Sequence, residues 1–300
     1  MLDPHMMEKI ENAPGFIAAL DQSGGSTPRA LEVYGIGREA YSDENEMFAL
    51  IHQMRTRIMM SPSFASGKII GAILFEKTMT GMAGDKPVPL LLRDLDIAAF
   101  LKVDQGLEKR ADGVQLMKPV PTLGGLLERA SASGMAGTKM RSLIHAASRS
   151  GIEAVVRQQF DHARRILDHG LLPIIEPEVH LGSSDRELCD LLLVDELHAQ
   201  LETIPSGQKV ILKLSLPARP NSYAALIDHP RTARVAALSG GYSRDAACAE
   251  LARNQGMIAS FSRALLQDLR CSMSDAEFDS TLARAIDEIY AASTRKPEVV

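Results

Sequence analysis

The chain has 300 residues, of which 45% are apolar and 24% charged. That is ordinary globular composition and excludes disorder, collagen and coiled coil. With 33 basic and 38 acidic residues the formal charge is −5, which lacks the basic excess of a nucleic-acid binder.

Short apolar runs recur along the chain, bounded by turn residues or charge, and read as buried parallel strands. The first is 16–21 (FIAALD). A long connection, 22–68, follows and holds a helix that opens at Ser42 after Tyr41, with carboxylates in its first turn. The second strand is 69–75 (IIGAILF), and the stretch from 75 to 100 has no regular helical pattern. The third and fourth strands are 100–104 (FLKVD) and 137–144 (GTKMRSLI). A periodic helix over 151–169 ends at Gly170, a good residue just past a helix. The fifth strand is 171–179 (LLPIIEPEV). Ser184-Asp185-Arg186-Glu187 then reads as a capping box before the leucine-rich 188–193. The sixth and seventh strands are 210–216 (VILKLSL) and 235–240 (VAALSG). A helix over 243–255 ends at Gly256, and the eighth strand is 257–263 (MIASFSR). A second capping box, Ser274 with Glu277, opens a C-terminal helix over 274–292.

Eight strands alternating with helical patterns predict an α/β fold, a single-domain (β/α)₈ TIM barrel over 1–300 with a helical insertion at 22–68. The competing open doubly wound sheet lacks support. No strand is followed by G-x-G-x-x-G or a phosphate-binding P-loop, and Gly24-Gly25 is a weak substitute.

Barrel chemistry sits at the carboxyl ends of the strands, and those ends carry the charge here. They hold Asp21, Glu76, Lys102 with Asp104, Lys139 with Arg141, Glu176 with Glu178, Lys213, Ser239-Gly240-Gly241 and Arg263. A charged or phosphate-compatible group at every strand points to a site for an anionic substrate. Lys213 stands amid aliphatics, where desolvation lowers an amine's pKa and frees it to form a Schiff base with a ketone. An ion-paired or snorkelling lysine is the structural alternative. Glu176, in PIIEPEV, is expected to have a raised pKa suited to acid–base work, or else to partner a lysine across the barrel. Asp21 would accept a proton from a substrate hydroxyl, or fix Lys102 or Lys139. Ser239-Gly240-Gly241 before a helix suits an anion nest, with Arg263 as a bidentate partner.

A metal site is disfavoured. Glu178 and His180 share E-x-H spacing, but no histidines pair at H-x-H or H-x-x-x-H, and zinc takes at least three protein ligands. Cys189, Cys248 and Cys271 form no C-x-x-C pair and fit a reducing compartment. The opening MLDPHMMEKI is unlike a signal peptide, and no apolar run reaches the ~18 residues of a membrane span. A cytoplasmic protein with no nucleic-acid or membrane partner is therefore expected.

Collinear motifs carry a further signal. They are Ala19-Leu20-Asp21-Gln22-Ser23-Gly24-Gly25-Ser26, Ile73-Leu74-Phe75-Glu76, Lys102-Val103-Asp104-Gln105-Gly106, Lys139-Met140-Arg141, Glu176-Pro177-Glu178, Leu212-Lys213 and Leu238-Ser239-Gly240-Gly241. From about Phe16 to Arg263 the chain resembles the class I, Schiff-base fructose-bisphosphate aldolases of the shorter bacterial type. The resemblance implies reversible cleavage of fructose 1,6-bisphosphate to dihydroxyacetone phosphate and glyceraldehyde 3-phosphate, with no cofactor and no metal. Lys213 would be the nucleophile, Glu176 the proton shuttle, Asp21 the base at the C4 hydroxyl, and Lys139 a charge stabiliser. Ser239, Gly240, Gly241 and Arg263 would hold one phosphate. Lys102, Arg141 and Ser26 would complete the substrate site.

An aldolase for an epimeric sugar bisphosphate such as tagatose 1,6-bisphosphate remains open, as does a non-catalytic phosphosugar-binding barrel. The presence of both Lys213 and Glu176 favours an enzyme. Two departures stand out. Gln22 replaces the glutamate of animal members, and the tail Arg295–Val300 lacks their terminal tyrosine. Animal relatives are homo-oligomers, but the sequence leaves the subunit count open.

Overall fold

An apolar run buries both of its faces only inside a parallel sheet covered by helices, and all eight runs are placed this way. In the computed structural model, which describes residues 3–297, the barrel strands are β1 (Phe16–Leu20), β2 (Ile69–Leu74), β3 (Ala98–Lys102), β4 (Gly137–Ile144), β5 (Leu172–Val179), β6 (Val210–Ser215), β7 (Thr232–Leu238) and β8 (Met257–Ala259). Each pairs in parallel with the next in sequence. The seam between β8 and β1 is joined by the Ala19 N–H donating to the Phe261 carbonyl at 3.2 Å. The fold is a nearly closed (β/α)₈ barrel, as the pattern predicted.

Period-2 alternation decides what points inward. Toward the amino ends of the strands the interior is apolar, with Ile17, Ile70, Phe100, Ile174 and Ile211 packed together. Toward the carboxyl ends the same faces carry Asp21, Lys102, Lys139, Glu176 and Lys213. Helix α1 (Pro4–Asn12), which the pattern did not reveal, closes the apolar end. Arg234 of β7 holds it there by donating to the carbonyls of Ile10 at 2.7 Å and Ala13 at 3.1 Å.

The 22–68 connection contains α2 (Ser26–Tyr34) and α3 (Glu44–Met60). Asp43 caps α3, its carboxylate accepting from the N–H groups of Asn45 and Glu46. The 75–100 stretch is only partly irregular. A four-residue helix (Glu76–Met79) and a hairpin (Met82–Ala83 with Lys86–Pro87) precede α4 (Val88–Asp94), whose second residue is Pro89. The outer layer continues with α5 (Leu123–Ala132), α6 (Arg149–Asp168), α7 (Arg186–Leu201), α8 (Arg244–Ala252) and α9 (Asp275–Thr294).

The capping box of Ser274 and Glu277 forms, but the one expected at 184–187 does not. Helix α7 begins one residue later than that box requires. Asp185 becomes the N-cap and Glu187 falls at the second helical position, too early to reach back. Glu187 instead pairs with Arg219 at 2.7 Å.

Gly137 opens β4 where the strands crowd most. A Cβ there would lie 1.9 Å from the Leu172 carbonyl oxygen and 2.9 Å from the Phe100 ring. Gly137→Ala is expected to cost about 1–3 kcal/mol of stability, the range for forcing atoms into a packed core. Urea unfolding checks this, and an unchanged midpoint would contradict it. Among the described residues no helix is long and apolar enough to cross a membrane.

Candidate active site

The charged strand ends converge on one cavity of about 880 Å³ at the carboxyl-terminal face of the barrel. Lys213, Glu176, Asp21, Lys139, Lys102, Arg141, Ser239, Gly240, Gly241, Arg263 and Ser26 all line it. Glu76 does not belong to it. It follows β2 as the first residue of a short helix and pairs with Arg129 at 2.7 Å, outside the barrel.

At the floor of the cavity lies a chain of alternating charge. Lys213 Nζ is 3.2 Å from Glu176 Oε1, and Lys139 Nζ is 2.6 Å from Glu176 Oε2 and 2.9 Å from Asp21 Oδ2. All four residues are buried. The β4–β5 register pairs Glu176 with Arg141 and Lys139 with Ile174, so the long Lys139 side chain reaches Glu176 across an offset of two residues. The β5–β6 ladder pairs only two residues, Ile174 with Ile211 and Ile175 with Leu212, before the strands part. At that point the Glu176 N–H turns to the side-chain oxygen of Gln159 on α6, at 2.8 Å.

Burial pushes the Lys213 pKa down, helped by the Lys139 charge and opposed by Glu176 and Asp21; the net is a lowered value. This agrees with the expectation of a desolvated amine. Burial also disfavours the charged form of Lys139, but Asp21 and Glu176 outweigh it and hold this lysine well above its usual range. Asp21 feels the same burial, which Lys139, Lys213 and Lys102 overcome, so its carboxyl is held well below the usual range.

For Glu176 the expected raised pKa is overturned, while the alternative, a partner for lysines across the barrel, matches its pairing with Lys139 and Lys213. Burial raises its pKa as supposed, but the charges of Lys139, Lys213 and Arg141 more than reverse that, and the net shift is downward. The apolar neighbours in PIIEPEV are not what its carboxylate faces.

The rim is polar. Lys102 Nζ is 2.7 Å from Asp104 Oδ1, and Arg141 Nε is 2.5 Å from Glu178 Oε2. Ser26 opens α2, and its hydroxyl donates to the Ser23 carbonyl at 2.9 Å. Gly240 and Gly241 take φ values of +59° and +130°, which L side chains rarely adopt. The N–H groups of Gly241 and Tyr242 fold back onto the Ser239 carbonyl at 2.7 and 2.9 Å. Ser243 caps α8 immediately beyond. Arg263 lies past the end of β8, at the first position of a short helix, rather than on the strand as predicted. Its side chain still reaches the Gly240-Gly241 turn.

Glu178 and His180 do not form a ligand pair. Arg141 takes Glu178, while the His180 ring lies 5.4 Å from that of His145. A group the spacing did not reveal, His198, Glu202 and His229, gathers where α7 meets the loop before β7. There the Arg231 N–H donates to His229 Nδ1 at 3.1 Å. In the neutral ring this leaves the proton on Nε2, facing Glu202 at 3.2 Å. That is a hydrogen-bonded chain, and it lies outside the cavity. Sequence reading also missed Arg55, which reaches Gln22 from α3. Residues 298–300 of the tail lie outside the described residues.

A charged cluster at the strand carboxyl ends, open to one cavity, defines the chain as a (β/α)₈-barrel enzyme. A scan against protein-family models finds no match. The class 1 fructose-bisphosphate aldolase of Porphyromonas gingivalis is 50% identical over 295 residues, spanning 98% of this chain and 100% of that protein. Among solved structures, the fructose-bisphosphate aldolase of Plasmodium falciparum, in a ternary complex with TRAP and a small-molecule inhibitor, superposes with a TM-score of 0.77. It is 18% identical, covering 98% of this chain and 95% of that one, and this likeness bears on the fold. The chain belongs to the class 1 fructose-bisphosphate aldolases.

Proposed function

We propose that the protein cleaves fructose 1,6-bisphosphate reversibly through a Schiff base on Lys213. The observation that carries this reading is the buried Lys213–Glu176–Lys139–Asp21 chain. It holds two lysines with opposite pKa shifts, one suited to act as an amine and one to stay a cation.

Glu176, within reach of Lys213, takes a proton from its ammonium. The free amine adds to C2 of the open-chain ketose, giving a carbinolamine. Glu176 returns the proton to the departing hydroxyl, water leaves, and a protonated imine remains. Asp21, held ionised, accepts the C4 hydroxyl proton as the C3–C4 bond breaks. The bonding pair moves into the imine, so the aldehyde half leaves and an enamine stays on Lys213. C3 then gains a proton, in balance with the one Asp21 accepted and gives up, and hydrolysis of the resulting imine releases dihydroxyacetone phosphate and the free Lys213 amine. Lys139 keeps its charge throughout and orients both carboxylates. The imine serves as the electron sink, so no metal or other cofactor is required.

Ser239, the Gly240-Gly241 turn, the α8 N-terminus and Arg263 suit one phosphate. Lys102, Arg141 and Ser26 suit the rest of the substrate. The Gly241 and Tyr242 amides would have to turn from the Ser239 carbonyl to join in. The same reading assigns the protein a role in glycolysis and gluconeogenesis, and with it a cytoplasmic location.

The test is borohydride trapping with dihydroxyacetone phosphate, followed by intact mass and peptide mapping. A single stable adduct on Lys213 is expected. A folded protein that binds the ligand without forming the adduct would overturn the Schiff-base assignment.

A further inference from the structure

Arg55 lies on α3 and is only 1% exposed. Among the described residues its hydrogen-bond partners are all neutral. It donates to Thr78 Oγ1 at 2.8 Å, to the Gln22 carbonyl, and to Gln22 Oε1 at 3.3 Å. Its Nε has no partner. Burial lowers its pKa to about 10, opposed by the Asp21 charge, so it remains a cation at neutral pH. A buried cation with no carboxylate bonded to it is costly. Folds carry such costs mostly at functional sites.

What Arg55 holds is Gln22, the residue that follows Asp21. Gln22, gripped at its carbonyl and its side-chain oxygen, in turn donates from Nε2 to Ser262 Oγ at 2.7 Å and to the Ala19 carbonyl at 3.3 Å. Ser262 precedes Arg263 at the mouth of the cavity. The relay Arg55–Gln22–Ser262 therefore crosses the β8–β1 seam, where no strand ladder fixes the two ends relative to each other. Asp21 and Arg263, on either side of that seam, both line the same cavity.

We propose that Arg55 is a positioning residue: through Gln22 it sets the placement of Asp21, and of the β1 and β8 ends, for carbon–carbon bond cleavage. This rests on the Schiff-base reading above. In that reading Lys213 and Glu176 build the imine, and Asp21 enters only when the C3–C4 bond breaks. A fault at Arg55 should therefore separate the two stages.

The experiment compares the unaltered protein with Arg55→Met, Arg55→Lys and, as a milder change, Thr78→Val. Two readouts are normalised to folded protein: borohydride labelling of Lys213 with dihydroxyacetone phosphate, and kcat for fructose 1,6-bisphosphate cleavage. In Arg55→Met, labelling should stay within about threefold while kcat falls roughly ten- to hundredfold, the loss typical of a displaced catalytic group. Arg55→Lys should recover part of that loss, and Thr78→Val should show a smaller fall in kcat. If Arg55→Met does not fold, Arg55→Lys and Thr78→Val decide by the same split between labelling and kcat. The proposal is overturned if kcat per folded molecule is unchanged in the variants, or if labelling and kcat fall together. Failure to label Lys213 in the unaltered protein would instead overturn the Schiff-base reading.

Discussion

Lys213→Met will lose cleavage of fructose 1,6-bisphosphate by roughly 10⁴-fold or more, as removal of a covalent nucleophile does, while keeping its affinity for phosphate ligands. Methionine is unbranched and close in length to lysine, and position 213 is 4% exposed, so the cavity floor keeps its shape. Glu176 does not become an unpaired buried charge, because Lys139 remains 2.6 Å from its other oxygen. The usual severe cost of breaking a buried ion pair is therefore avoided. The groups assigned to phosphate, Ser239 and Arg263 above all, make no ion pair with Lys213. Steady-state cleavage, borohydride labelling and calorimetric titration with dihydroxyacetone phosphate check the three parts separately. Turnover within tenfold of the unaltered protein would exclude Lys213 as the nucleophile.

Glu176→Gln should lower kcat by about 10²–10⁴-fold, the range for losing a positioned proton carrier. The availability of the lysine should change in the opposite direction. Burial lowers the Lys213 pKa, and Glu176 is the largest influence opposing that fall. With glutamine in its place the amine stays neutral to lower pH. The acid limb of borohydride labelling should therefore move to lower pH even as turnover slows. Lys139 keeps Asp21 at 2.9 Å in this variant, so its charge stays partnered. Labelling and turnover measured across the same pH series will show the divergence. If both fall together with no shift of the acid limb, Glu176 does not tune Lys213.

Both outcomes depend on a distinction between what can be read along the chain and what cannot. The sequence by itself determined the eight strands, because continuous apolar runs bounded by charge leave few other ways to be buried. It also determined which residues could share the barrel interior. Lys139 with Arg141, and Glu176 with Glu178, are two apart and so face the same side of an extended strand. The Ser274–Glu277 cap was legible because every contact it makes is local.

The tertiary structure decided the rest. Glu176 is flanked in sequence by proline and isoleucine, yet its carboxylate lies between two lysines from other strands, and the sign of its pKa shift follows them. Glu76 ends a strand like the others but lies outside the barrel and pairs with Arg129 on α5. Arg55 sits in a helix with no motif, and only tertiary packing brings it to Gln22, 33 residues away in sequence. The physical reason is common to all three. Electrostatic and hydrogen-bond energies depend on distance through space, and for residues more than 30 positions apart that distance exists only once the barrel has closed.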